Sequence, residues 1–161
     1  TRACLSPLNF AGDLISDTTA TTETSSAPSQ GFAAFKPKVT HVAYHVADID
    51  RALAFYCGVL GMTETMRIPL GQGLHEVILG FPDSKAAGLI LMWHVEKKEA
   101  RKLGDGYSRF VLNVNDVDAA CALLAKNGAP VVTQPTQYGS LKFAMVKDPD
   151  GYVIELLQYV R

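Results

Sequence analysis

Glu155 is a carboxylate within an apolar run, a combination that serves acid–base chemistry. It interrupts "YVIELLQ", where strand alternation places Val153, Glu155 and Leu157 on one face. A carboxylate among apolar side chains must be neutralised or hydrogen-bonded, because burying an unpaired charge is costly. Glu155 is therefore the first candidate for a group that moves protons.

His41 and His45 lie in the stretch "THVAYHVADID" and are the histidine candidates for the same site. Residues four apart on a strand share a face but lie roughly 13 Å apart, whereas each ligand of one metal ion must sit within about 2.2 Å of it. The two imidazoles therefore cannot bind one ion. They can still line one cavity, with His41 at its floor and His45 nearer its rim.

An internal repeat supplies the elements that position these side chains. "HVAYHVADID" at 41 aligns with "RFVLNVNDVD" at 109, so that Val46, Asp48 and Asp50 match Val114, Asp116 and Asp118. Each copy predicts a strand, an aspartate that caps a helix, and an apolar helix that ends at a glycine. The helices are expected from Ile49 to Gly61 and from Val117 to the "NG" at 127–128.

Strand signals follow each helix, separated by Gly, Pro and Asp turns. They are "TETMRI", "HEVILGF" and "GLILMWH" in the first half, and "PVVTQ", "LKFAMVK" and "GYVIELLQ" in the second. The sequence thus predicts an α+β domain over residues 38–161. Its two βαβββ modules, 39–95 and 107–160, would form a curved mixed sheet around a central cup.

Residues 1–37 differ in composition and are predicted to be a low-complexity N-terminal arm. Its apolar residues could anchor it to the domain or to a neighbouring subunit; they are Leu8, Phe10, Leu14 and Ile15. The chain begins at Thr1, which indicates processing upstream of it and leaves export open.

Composition narrows the classes of partner. A net charge of −1 over 161 residues gives no electrostatic basis for binding nucleic acid or an anionic membrane, and no apolar run approaches the roughly 20 residues of a membrane span. Three widely spaced cysteines favour reduced thiols and a cytoplasmic location. A small-molecule ligand is the expected partner.

The repeat, together with "FYCGVLGM" and "DPDGYVIEL", resembles the vicinal oxygen chelate superfamily, which includes glyoxalase I, extradiol dioxygenases and bleomycin resistance proteins. In the metal-dependent members a divalent ion is held by four side chains. The resemblance places those positions at His41, Leu91, Arg109 and Glu155. His41 and Glu155 keep ligand chemistry, whereas Leu91 has no donor atom and the Arg109 guanidinium repels a cation.

Strand alternation suggests further side chains in the cup that could contact a substrate or, in the case of His75 or Glu76, complete a metal site. Trp93 shares a face with Leu91 and is an apolar wall or a core residue. Asn113 lies on the face of Arg109 and could offer a polar contact, as could Lys142 in the matching strand. One of His75 and Glu76 must face the cup, because adjacent strand residues point to opposite sides.

Three functions are compatible with these residues. The first is a lyase or isomerase that transfers a proton next to a carbonyl, with Glu155 as base, His41 or a metal as the polarising group, and Arg109 stabilising an enolate. The second is a metal-free binding protein of the bleomycin-resistance type, in which Glu155 pairs with Arg109. The third, less favoured function is ring-cleaving dioxygenation, which lacks its second histidine because Arg109 stands there.

The resemblance also bears on the substrate and on assembly. Where glyoxalase I holds glutathione with basic residues, this sequence has His45, Asp105 and Gly139, so a typical glutathione substrate is not expected. The family implies a homodimer, and the N-terminal arm could cross to the partner subunit.

Overall fold

The computed structural model describes residues 31–99 and 102–160, and it divides into two units between Pro37 and Lys38. In the described part of the first unit, Phe32–Phe35 form one turn of 3-10 helix, with both phenylalanines largely exposed. The predicted anchors in the arm, Leu8 to Ile15, lie outside the described residues. Everything that follows concerns the second unit.

Two modules of the predicted βαβββ type make up this unit. The first contains β1 (His41–His45), α1 (Ile49–Tyr56), β2 (Thr63–Gly71), β3 (Leu74–Gly80) and β4 (Gly88–His94). The second contains β5 (Phe110–Asn113), α2 (Val117–Lys126), β6 (Val131–Tyr138), β7 (Leu141–Lys147) and β8 (Val153–Tyr159). The sheets have the orders β1-β4-β3-β2 and β5-β8-β7-β6, with only the β1/β4 and β5/β8 pairs parallel. The predicted α+β class is confirmed.

The helix starts follow the predicted caps. Asp48 accepts a hydrogen bond from the Arg51 amide at 3.0 Å, and Asp116 accepts one from the Ala119 amide at 2.9 Å. These bonds satisfy amides that have no partner within the helix. The backbone N–H bond to the Asp48 carboxylate also lowers its pKa.

α1 ends at Tyr56, five residues before the predicted Gly61. Beyond it the amides of Val59 and Leu60 both donate to the Phe55 carbonyl at 2.9 Å, so the regular ladder is lost. Gly58 permits this tight turn, because a Cβ there would lie 2.4 Å from the Ala54 carbonyl oxygen. In α2 the predicted glycine, Gly128, takes a positive φ of 85° just beyond the helix.

One hydrophobic core joins both modules and defines a core face on each sheet. Strand residues on the core face are Val77, Leu79, Leu89, Leu91, Trp93, Ala144, Val146, Ile154 and Leu156, all buried. The helices contribute Ala52, Phe55, Tyr56, Val117, Cys121 and Leu124 to it. Burying each large side chain contributes about 1.5–3 kcal/mol. The alternate strand residues lie on the opposite side, called the open face below.

The two cysteines in the described ranges, Cys57 and Cys121, are free, and burial raises the pKa of both thiols. Within residues 31–99 and 102–160, no helix has the length and apolar character needed to traverse a bilayer.

Candidate functional site

The open face of the second sheet carries Glu155. Its strand neighbours Ile154 and Leu156 are buried in the core, so Glu155 points to the other side, as alternation predicts. There it lines a cavity of about 420 Å³. The other lining residues are Arg109, Thr136, Gln137, Tyr138, Leu141, Phe143, Met145 and Leu157.

Arg109 is the direct partner of Glu155 in this cavity. Its Nε donates to Glu155 Oε2, and its terminal nitrogen donates to Ser108 Oγ at 3.1 Å. The Glu155 side chain is 11% exposed and that of Arg109 is 43% exposed. The pair therefore neutralises a carboxylate that would be costly to bury alone, while the guanidinium stays accessible from the cavity.

His41 lies at the start of β1 and lines a different cavity, of about 250 Å³, with Lys38 and Lys85. Its partner across the parallel ladder is Gly88. His41 and Glu155 thus line two different cavities of the described chain. Their meeting in one cup stays a prediction.

Strand register identifies the residue of the first module that matches Glu155. Val111 pairs with Glu155 in the second module, and Ala43, which matches Val111 in the repeat, pairs with Ile90. Ile90, rather than Leu91, is thus the position equivalent to Glu155. Leu91 is fully buried on the core face, one residue out of phase.

A family-type metal ion does not fit these residues. Of the four equivalent positions, Ile90 has no donor atom, and Arg109 places a cation against the carboxylate that would bind the ion. Within the described ranges, no three His, Cys, Asp or Glu side chains lie close enough to hold a metal ion together. The positive charge of Arg109 beside Glu155 disfavours a cation at this place.

Trp93 lies on the core face with Leu91 and is 8% exposed. Its ring stacks on His75 with centroids 5.2 Å apart, and the Arg67 guanidinium carbon lies 5.5 Å from its centroid. Since His75 shares this side with Trp93, Glu76 lies on the open face. This settles which of the two residues faces that side.

The remaining predicted contacts lie outside the Glu155 cavity. Asn113 lines an apolar cavity of about 370 Å³ beside α2, together with Leu123 and Leu156. Lys142 donates to Asp118 on α2. His45 is exposed, and its backbone carbonyl accepts a hydrogen bond from the Tyr152 hydroxyl at 2.9 Å.

The turn "DPDG" between β7 and β8 has a structural role that the sequence indicated only as a turn. Asp148 is 3% exposed and accepts hydrogen bonds from the Tyr56 hydroxyl at 2.8 Å and from the amides of Asp150 and Tyr152 at 2.9 and 2.8 Å. Burial raises the pKa of Asp148, and burial beside this carboxylate raises that of Tyr56. The sequence feature that could have indicated this role of Asp148 is the position of a carboxylate next to an apolar strand.

Asp150 and Tyr152 complete this contact between the modules. Asp150 accepts from the Ala47 amide at 2.9 Å and from Arg51 at 3.1 Å. The Tyr152 ring stacks on Tyr44 with centroids 4.8 Å apart. The second module is thereby fixed to the junction of β1 and α1, which holds the two sheets in place.

Comparisons with known proteins agree with this architecture. The model of the Glyoxalase/Bleomycin resistance protein/Dioxygenase superfamily matches residues 38–156. The chain belongs to this superfamily. A lactoylglutathione lyase of Haemophilus influenzae is 32% identical over 127 residues, covering 75% of this chain and 92% of the relative. A probable lactoylglutathione lyase of Synechocystis is 31% identical over 121 residues, covering 73% and 92%.

Solved structures of superfamily members include both enzymes and binding proteins. The trypanothione-dependent glyoxalase I of Leishmania major is 29% identical with a TM-score of 0.67, covering 76% of this chain and 86% of that one. An antibiotic-binding protein of Streptomyces, TnmS3, is 27% identical with a TM-score of 0.61, covering 76% and 96%. The superfamily is therefore shown, whereas a particular reaction is not.

Proposed function

We propose that this protein is a metal-independent lyase that transfers a proton next to the carbonyl of a small molecule. The observation that carries this proposal is the Arg109–Glu155 pair inside the 420 Å³ cavity. Glu155 would accept and return the proton as general base and acid. Arg109 would stabilise the negative charge that develops on the substrate oxygen, or bind a substrate carboxylate. The relatives named above are lactoylglutathione lyases, which favours a lyase over an isomerase.

The cavity walls suggest an aromatic or aliphatic substrate. Leu141, Phe143, Met145 and Leu157 supply apolar surface, and binding cavities with a few convergent polar groups commonly hold such molecules. His45, Asp105 and Gly139 do not provide the basic residues that glyoxalase I uses for glutathione. We therefore expect a substrate other than the glutathione hemithioacetal.

A homodimer would join the two cavities. Apolar side chains on the open faces are about half exposed or more, namely Met66 at 54%, Val111 at 49% and Tyr138 at 80%. Such surface favours burial by another protein surface. If a second copy covers it, His41 of one subunit would polarise the carbonyl of a substrate whose neighbouring proton is taken by Glu155 of the other. The free cysteines favour the cytoplasm as the compartment.

Ligand binding without chemistry is the second candidate. It is favoured by the same ion pair, because one of the two Glu155 carboxylate oxygens already accepts a bond from Arg109. The similarity to an antibiotic-binding protein supports this candidate as well.

Proton exchange separates the two candidates. With 2-hydroxyacetophenone and glycolaldehyde as probes in D₂O, proton NMR measures the loss of the proton next to the carbonyl. We expect exchange by the wild type and a loss of about 100-fold or more in Glu155→Gln. Glu64→Gln, which alters an exposed ion-paired carboxylate, is the control and should leave exchange unchanged. Saturable probe binding with no exchange would refute the lyase and support the binding protein.

A further inference from the structure

The cavity that contains His41 has a basic lining unlike that of the Glu155 cavity. Lys38, His41 and Lys85 line its 250 Å³, together with the hydroxyl-bearing residues Thr40 and Thr65. Neither aspartate nor glutamate is among its lining residues. The cavity lining thus contains two lysine side chains, an imidazole and two threonines, without a carboxylate beside them.

Some basic residues of the described chain have carboxylate partners, and others, such as Lys126 and Lys147, form no ion pair among the described residues. Arg51, Arg67, Arg109 and Lys142 each form an ion pair with an aspartate or glutamate. Lys38 and Lys85 take part in none of the ion pairs within 4.0 Å that the described residues form. Two ammonium groups on one cavity repel each other, and a bound anion would relieve that repulsion.

A glycine leaves room beside the imidazole. A Cβ at Gly88 would lie 3.0 Å from His41 Cδ2 and 2.4 Å from the Leu79 carbonyl oxygen. The Gly88 amide donates to the Thr40 carbonyl at 2.9 Å, which fixes the start of β1 against β4. The His41 imidazole therefore lies directly against Gly88, because this residue has no side chain.

We propose that this cavity binds the anionic group of a small ligand, either a phosphate or a carboxylate. Lysine ammonium groups, the Thr40 hydroxyl and an imidazole N–H donate hydrogen bonds to such oxygens, whereas the Thr65 hydroxyl already donates to the Ile78 carbonyl at 3.2 Å. His41 also takes part in the proposed function, so this inference rests partly on it; anion binding is measured without turnover and can therefore fail or succeed independently of the reaction. A ligand bound here would present its remaining atoms next to His41.

The direct test is an NMR titration of the His41 imidazole with inorganic phosphate and, separately, with acetate at constant ionic strength and pH. His41→Gln assigns the resonance. We expect saturable shifts with a Kd in the range of about 1–10 mM for at least one anion. The anion that binds more tightly distinguishes a phosphate site from a carboxylate site.

The lysines are tested with the double variant Lys38→Gln/Lys85→Gln. We expect its Kd to rise at least about tenfold, which corresponds to 1.4 kcal/mol. Lys126→Gln/Lys147→Gln removes the same charge elsewhere and should leave the Kd within about twofold. Absence of saturable shifts with both anions would overturn the proposal. An equal loss of affinity in the two double variants would also overturn it, because it would indicate general charge attraction without a site.

Discussion

The two modules place different chemistry at matching positions of one backbone pattern. In the second module Arg109 and Glu155 form an ion pair in an apolar cavity. In the first module the matching residues are His41, in a basic cavity, and Ile90, which has no polar atom. The repeat therefore conserves strand register but not the side chains that do chemistry. The carboxylate and the guanidinium that pairs with it both belong to the second module.

The turns that precede the last strand of each module differ in the same way. Asp148, Pro149 and Asp150 in the second module correspond to Phe81, Pro82 and Asp83 in the first. Asp148 is buried and hydrogen-bonded, whereas Phe81 at its place lines two apolar cavities. The polar contact between the modules therefore comes from the turn at 148–150. The turn at 81–83 borders cavities instead.

Restoring ligand chemistry in both modules should produce the largest effect. In Ile90→Glu/Arg109→His, donors replace the apolar residue and the cation at two of the four positions. If dimerisation joins the cavities as proposed, the double variant should bind Zn²⁺ with a Kd of about 1 μM or tighter, or about 8 kcal/mol, in calorimetry.

The control for this variant is Leu91→Glu/Arg109→His, in which the carboxylate falls on the core face. It should be destabilised and should bind no metal at that affinity. Metal binding by the control alone would contradict the assignment of Ile90. Failure of both variants to bind metal would contradict the joining of the cavities.

Breaking the polar turn should have the next largest effect. Asp148→Ala leaves the buried Tyr56 hydroxyl and two amides without their acceptor, so the free energy of unfolding in urea should fall by about 3 kcal/mol. Asp83→Ala alters the exposed aspartate of the other turn and should change it by less than about 0.5 kcal/mol. Equal losses of unfolding free energy in the two variants would show that the two turns contribute equally to stability.

The comparison of the two modules shows which features of the fold and of the candidate site can be predicted from the sequence. The repeat and the alternation of apolar residues were enough for both sheets, for the caps at Asp48 and Asp116, and for the outward face of Glu155, because these depend on local patterns. Leu91 was assigned to the position equivalent to Glu155, which Ile90 occupies. The error is one residue, because two adjacent apolar residues do not reveal which of them faces the core.

Contacts between distant segments were beyond the sequence. The burial of Asp148 depends on Tyr56, 92 positions away, and the choice between His75 and Glu76 depends on a ring stacking with Trp93 across the sheet. The separation of His41 from Glu155 is likewise a property of how the modules pack. None of these follows from local pattern or spacing.

The smallest effect concerns the ion pair itself. A double-mutant cycle with Arg109→Met and Glu155→Gln should give a coupling free energy of about 1 kcal/mol, since the arginine is partly exposed and solvent screens it. The exposed pair Glu64–Arg67, cycled with Glu64→Gln and Arg67→Met, should give about 0.3 kcal/mol. A coupling of zero for Arg109–Glu155 would mean that the guanidinium does not balance the carboxylate.

Metal content tests most directly the claim that the Arg109–Glu155 pair takes the place of a metal ion. The protein would be produced in medium supplemented with zinc, nickel and manganese, purified without chelator, and analysed by inductively coupled plasma mass spectrometry beside His41→Ala. We predict far less than one equivalent of metal per chain in both proteins. A content near one equivalent in the wild type that is lost in His41→Ala would contradict the account.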